Sequence, residues 1–241
     1  MRTPVVAATA ALLLLTTACG GADSPTLEPT SSTPTLSSLD DEQVQRYLPG
    51  EGQMPPSWGQ YEGEGAGDGE QATYPKTCSD LLISGRAGED LAEGRTGSAR
   101  RTYIPTNAKG SAVGVKITSY EQSVPDGVFE AMGAALDECG EYQQINKEGT
   151  TTYLSEATTG PSYGDRTFRF RTREKGGDTV FERLVFSVDG ALVQVLEMHT
   201  EGDEVKTTGL EMAAEATESN LRDGPREASG SQESSSVSPG F

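Results

Sequence analysis

The chain has 241 residues, 34% of them hydrophobic and 23% charged, and its 37 acidic against 19 basic residues leave a net charge of −18. So acidic a surface has no basic footprint with which to release counterions from phosphates, which excludes nucleic acid as a partner and disfavours adsorption of the protein surface on anionic lipid headgroups. One histidine and three cysteines supply few soft ligands, so neither a metal nor another cofactor is expected.

Residues 1–18 read as a secretory signal. Met1-Arg2-Thr3-Pro4 makes a positive start, an apolar run extends from Val5 to Leu15, and Thr16-Thr17-Ala18 supplies small residues before Cys19. The run is too short to span a bilayer. A cysteine directly after Thr17-Ala18 marks a lipoprotein signal, in which the thiol takes a diacylglyceryl group and cleavage before Cys19 frees an amine for acylation. The alternative is an ordinary signal with an incidental cysteine. On the lipoprotein reading, the lipid on Cys19 holds the chain on the outer face of the cell membrane. Residues 19–39 are rich in Ser, Thr and Pro and form a semi-extended tether that buries no core. Export also lets a disulfide persist, which pairs the remaining Cys78 and Cys139. A free buried pair or a two-cysteine metal site are the alternatives, the latter short of ligands because His199 is the only histidine. Closing so long a loop is worth about 4 kcal/mol at most in the chain-entropy model.

A single domain is expected over residues 40–222. Ser38-Leu39-Asp40-Asp41-Glu42 starts a helix that carries Val44, Tyr47 and Leu48 and stops at Pro49-Gly50. Residues 54–59 read as a loop with Trp58 tucked onto the core, an exposed ligand platform being the other reading. Residues 61–69 alternate glycine with acids but lack calcium-loop spacing, which predicts a flexible loop. A short helix over residues 77–83 would be capped by Thr77 and closed near Gly85. Residues 87–97, polar and punctuated by glycine, read as a mobile loop. Strands are expected at 100–104 and 112–118, separated by turn chemistry at 105–110.

The clearest helix begins at Val124-Pro125-Asp126 and ends at Gly140, with Phe129, Met132, Gly133, Leu136 and Cys139 on one face. That stripe reads as core and aims Cys139 at Cys78. Strands follow at 142–145, 151–157, 166–173, 179–188 and 191–199. Asp189-Gly190 between the last two is a hairpin signal that pairs Val188 with Ala191, Phe186 with Val193 and Leu184 with Val195. The opposite face of this hairpin is also apolar, interrupted by Arg183 and Gln194, which places it in the middle of a covered sheet. A last helix over 204–221 offers Val205, Met212, Ala213 and Ala216 to the sheet, and residues 223–241 form a disordered tail. The fold class is therefore α+β: mainly antiparallel sheet built from meander hairpins, packed by helices, with one disulfide.

Four segments carry a family resemblance: Pro56-Ser57-Trp58-Gly59, Cys78-Ser79-Asp80-Leu81-Leu82, Ala134-Ala135-Leu136-Asp137-Glu138-Cys139, and Gly164-Asp165 before the arginine strand. Their order resembles that of the sensor-domain lipoproteins of actinobacteria, related to the extracellular domain of PknH-type receptor Ser/Thr kinases. The kinase sensors have two disulfides where this chain can make one. The resemblance implies a non-enzymatic module that binds or senses an unknown small ligand, and assigns no ligand-binding residues. The alternative is a structural lipoprotein that contacts another envelope protein.

No enzyme is expected. His199 has no nucleophile elbow to serve, the core cysteines are consumed by the disulfide, and phosphate-binding glycine patterns are missing; chance carboxylate pairs are left open. The one local basic feature is Arg169, Arg171 and Arg173, about 7 Å apart on one side of a strand. They form either an anion site or internal charge pairs. With residues 174–177 as a loop, Arg173 would face Asp178, Arg169 would face Glu182 and Arg171 would face Val180, which favours pairing.

Overall fold

The computed structural model describes residue 36 and residues 38–61, 71–106, 110–200 and 208–225. Cys19, the signal, most of the tether, the acidic glycine loop, Val205 and most of the tail lie outside the described residues. In chain order the elements are α1 (Asp41–Gln45), β1 (Trp58–Gln60), β2 (Ala72–Tyr74), α2 (Arg86–Ala92), β3 (Arg95–Pro105), β4 (Ala112–Tyr120), α3 (Asp126–Glu138), β5 (Glu141–Asn146), β6 (Gly149–Ala157), β7 (Arg166–Glu174), β8 (Thr179–Val188), β9 (Ala191–Thr200) and α4 (Thr208–Asp223), with 3-10 helices at Glu51–Gln53 and Lys76–Leu82.

The strands form one antiparallel nine-stranded sheet in the order β1-β3-β4-β9-β8-β7-β6-β5-β2. The β8–β9 hairpin lies at its centre, where a ribbon apolar on both faces is covered on both. Its register is the expected one, Val188 opposite Ala191, Phe186 opposite Val193 and Leu184 opposite Val195. Asp189 supplies a positive φ of 48° at the turn, a conformation that Asp tolerates better than most residues.

Each face of the sheet carries its own core. On one, α1 and α4 bury Val44, Leu210 and Ala213 against Val115, Leu184, Phe186 and Val195. On the other, α3 and the 3-10 helix Lys76–Leu82 bury Met132 and Leu81 against Phe170, Val185 and Leu192. The stripe on α3 is centred on Val128, Met132 and Ala135, with Phe129 beside them and Cys139 as the buried C-cap. Cys139 bonds Cys78 across 61 residues of sequence and ties the 3-10 helix to the end of α3. In α1, a reciprocal capping box between Asp40 and Gln43 satisfies the first-turn amides.

Several expectations change. Residues 87–97 are not a mobile loop: α2 occupies their first half and β3 begins at Arg95. Ala87 and Leu91 are buried one helical turn apart, and Asp80 Oδ1 accepts the Ala87 N–H. The glycines here mark close approach. A Cβ on Gly88 would lie 2.1 Å from the Ile83 carbonyl oxygen, and one on Gly97 would lie 2.5 Å from that of Leu39. The 3-10 helix starts at Lys76, with Pro75 as its N-cap in place of Thr77, and ends on Ile83 at a φ of 54° rather than near Gly85. Trp58 opens the edge strand β1 instead of sitting in a loop, half-buried against the α4-face core. Packing also begins before Asp40: Leu36 is buried, and its carbonyl accepts the Ser119 hydroxyl. α4 extends to Asp223.

The β7–β8 register differs as well. β7 runs to Glu174 and β8 starts at Thr179, so Arg173 faces Val180, Arg171 faces Glu182 and Arg169 faces Leu184. The loop keeps four residues but lies one residue further along, with Gly176 in the positive-φ position, where glycine is free of strain.

Candidate functional site

Directly opposed residues of an antiparallel sheet share a face, so the register lays out rows of side chains on the α3 side. One row is Thr102, Gly114, Leu196, Arg183 and Phe170, from β3 through β4, β9 and β8 to β7. The next is Arg100, Lys116, Gln194, Val185 and Phe168. Where α3 stops short of covering them, these rows floor a cavity of about 290 Å³, walled by Leu81 and Leu82 of the 3-10 helix. The disulfide one turn away holds that wall in place. Gly114 contributes volume, since a Cβ there would meet nothing closer than the Leu196 carbonyl at 4.0 Å.

Arg183 is the unusual member. Its Nε is buried without a hydrogen-bond partner, and among the described residues no carboxylate pairs with it. Its guanidinium carbon lies 6.0 Å from the centre of the Phe170 ring and 5.7 Å from that of Phe181. Phe181 meets Tyr153 edge-on at 6.1 Å, and Tyr153 stacks on Tyr142 at 5.6 Å. Aromatic faces therefore hold this cation where an acid would be usual. Burial lowers the Arg183 pKa from its ordinary value, with the nearby Tyr142 and Tyr153 acting the other way. Ring contacts return only about 0.5–2 kcal/mol, less than the several kcal/mol that an unpaired charge loses with its water. Arg100 and Lys116 stand exposed on the same face, so the cavity is basic on an otherwise acidic protein.

The three arginines of β7 stand on the opposite face. Arg169 is buried and reaches Glu211 of α4 at 3.5 Å. Arg171 takes Glu182 at 2.5 Å and Glu156 at 3.4 Å. Arg173 is also engaged. Arg169 and Arg171 are thus paired internally, with partners other than those the expected register assigned. The same face buries Glu197, which lies opposite Glu182. Burial pushes its carboxyl up to about 7, and the Leu210 backbone N–H at the start of α4 only partly offsets this.

A second hollow, about 380 Å³, lies between α2 and the start of α3, lined by Asp80, Arg86, Asp90 and Val128 among others. No buried unpaired side chain lines it among the described residues. Nor is any cluster of three metal-type ligands found among them. The sequence held one signal for the Arg183 site, a charged residue interrupting an apolar face of a central strand.

No known family profile matches the chain, and no curated protein matches it in sequence. Among solved structures it is similar to the extracellular domain of PknH from Mycobacterium tuberculosis, with a TM-score of 0.57, 12% identity, and 78% of this chain covering 98% of that one. An uncharacterised protein of Mycobacterium smegmatis aligns with a TM-score of 0.39 and 16% identity over 80% of this chain and all of that one. The chain thus has the fold of the PknH extracellular domain.

Proposed function

We propose that this chain is an extracytoplasmic, non-enzymatic ligand-binding or sensing module, anchored to the membrane through a lipid on Cys19, with the cavity beside Arg183 as its ligand site. The observation that carries the reading is a partly buried arginine on the floor of a cavity, its Nε buried without a hydrogen-bond partner and no carboxylate paired with it among the described residues. Protein interiors seldom keep such a group unless something else supplies the charge. Support for the location comes from the signal-like residues 1–18, from the disulfide, and from a fold shared with the extracellular domain of PknH. Anion recognition falls to Arg183 in this reading, because Arg169 and Arg171 already hold acids.

Two measurements test it. Chain purified from a host that exports it should release a bound small molecule on denaturation. Gly114→Val, which fills the cavity from a strand position that suits valine, should abolish that release without lowering the melting temperature. An equal yield of the molecule from the variant counts against the site. For the anchor, Cys19→Ala should move the protein from the membrane fraction to the soluble exported fraction; retention in the membrane counts against lipidation.

A further inference from the structure

The cavity's chemistry goes further than its existence, and the following rests on the reading of it as the ligand site. We infer that its ligand is a small amphipathic oxyanion, with one carboxylate or phosphate head on a short apolar body, the head paired with Arg183 and the body lying against Leu81, Leu82, Val185 and Leu196. Four observations converge on this class. A partly buried cation that no carboxylate pairs with among the described residues asks for an anion. Its guanidinium carbon stands 6.0 and 5.7 Å from the centres of the Phe170 and Phe181 rings, and its Nε is sealed off. The side chain is only partly buried and lines the cavity, so the Nη edge is what a ligand would meet. An edge of this kind meets two oxygens of one head group side-on, as arginine does with carboxylate and phosphate.

The second observation is the lining. Beyond Arg183, the walls and floor are mostly aliphatic and aromatic, so a bare inorganic anion would leave them wet. Third, exposed Arg100 and Lys116 share the face and would draw an anion in against the repulsion of an acidic protein. Fourth, about 290 Å³ lies at the small end of ligand cavities. That volume takes one short apolar body and not both chains of a two-chain lipid. Neutral or cationic ligands of the same size would leave Arg183 unpaired, or repel it.

Calorimetric titration of the exported full chain carrying Cys19→Ala, which has no acyl group of its own to compete, tests the class. The probes are octanoate, octyl phosphate, octan-1-ol and octyltrimethylammonium. Octanoate or octyl phosphate should bind at least about tenfold tighter than octan-1-ol, a gap of the size expected for a charge-assisted contact, and the ammonium should not bind. The tighter of the two anions tells a carboxylate from a phosphate head. Arg183→Met should remove the anion preference and leave octan-1-ol unaffected. Lys116→Gln should weaken the anions a few-fold, and less at high salt, where exposed charges are screened.

The inference is overturned if octan-1-ol binds wild type as tightly as the anions do, if no probe binds, or if Arg183→Met binds octanoate unchanged. Backbone amide shifts separate this failure from failure of the site. Octan-1-ol that perturbs Leu81, Leu82 and Leu196 without any anion preference defeats the oxyanion class and keeps the cavity. Octanoate that perturbs residues elsewhere defeats both.

Discussion

Each face of the sheet holds a largely enclosed ionisable group that no ion pair compensates among the described residues, and the two faces handle it differently. On the α4 side Glu197 lies under the start of the helix, beside Glu182, which Arg171 already occupies. On the α3 side Arg183 lies among Phe170, Phe181, Tyr142 and Tyr153. A carboxylic acid escapes the penalty of burial by keeping its proton, and with its pKa pushed up to about 7 Glu197 does so at modest acidity. Arginine has no such exit, because the guanidinium stays protonated at any pH a protein meets. A buried lone acid is thus compatible with a closed core, whereas a buried lone arginine points to a missing partner. The packing agrees: α1 and α4 close over one face, and a cavity stays open over the other.

The largest expected effect tests what holds the open face together. Replacing Cys78 and Cys139 by serine should cost up to about 4 kcal/mol of stability in urea denaturation. Hydrogen exchange should speed up in α3 and the 3-10 helix Lys76–Leu82 and stay unchanged in α4. Equal acceleration in all three would mean that the faces are not separately supported.

Next in size is Glu197→Gln. The folded pKa of Glu197, about 7, lies above its unfolded value of 4.5, so the native state binds the proton more tightly. Burial of this acid therefore penalises the wild type fully above pH 7, less between 7 and 4.5, and not at all below 4.5. The glutamine variant should be more stable than wild type by on the order of 2–3 kcal/mol at pH 8 and indistinguishable at pH 4. A pH-independent difference would remove the acid from the comparison.

Arg183→Met should stabilise the ligand-free protein by about 1–2 kcal/mol, as apolar replacements of poorly compensated buried charges do. Between pH 5 and 9 the gain should be flat, in contrast to Glu197→Gln. Destabilisation by this variant would mean that the ring contacts already satisfy the cation. Smallest is Arg169→Gln on the closed face. Glu211 is partly exposed and can rehydrate, so the loss should stay within about 1 kcal/mol. A much larger loss in thermal melts would mean that this pair, too, is an essential buried charge.

The parts legible from sequence were those with short-range causes. Alternation in β4, β8 and β9, the Asp189-Gly190 turn and the stripe on α3 each arise from residues within one element or one tight turn, and they imply a central, doubly covered hairpin. The disulfide followed from cysteine arithmetic once the chain was read as exported. Strand parity put Phe168 and Phe170 on one face and the β7 arginines on the other, and this survived a two-residue error in register, because a shift of two preserves the face.

Other features depend on contacts that span the chain. Gly88 and Gly97 resemble loop glycines in sequence, yet each is small because a distant backbone, at Ile83 or Leu39, passes too close for a side chain. The four-residue loop after Glu174 left the register open, and side chains across the sheet and on α4 chose it. Arg183 was visible as an interruption in an apolar strand, but a sequence does not say whether an acid will reach it. That depended on how the helices closed over the two faces: Glu211 came within reach of Arg169, and among the described residues no carboxylate came to Arg183. Whether a charge is paired is set by long-range packing, and one strand's pattern does not encode it.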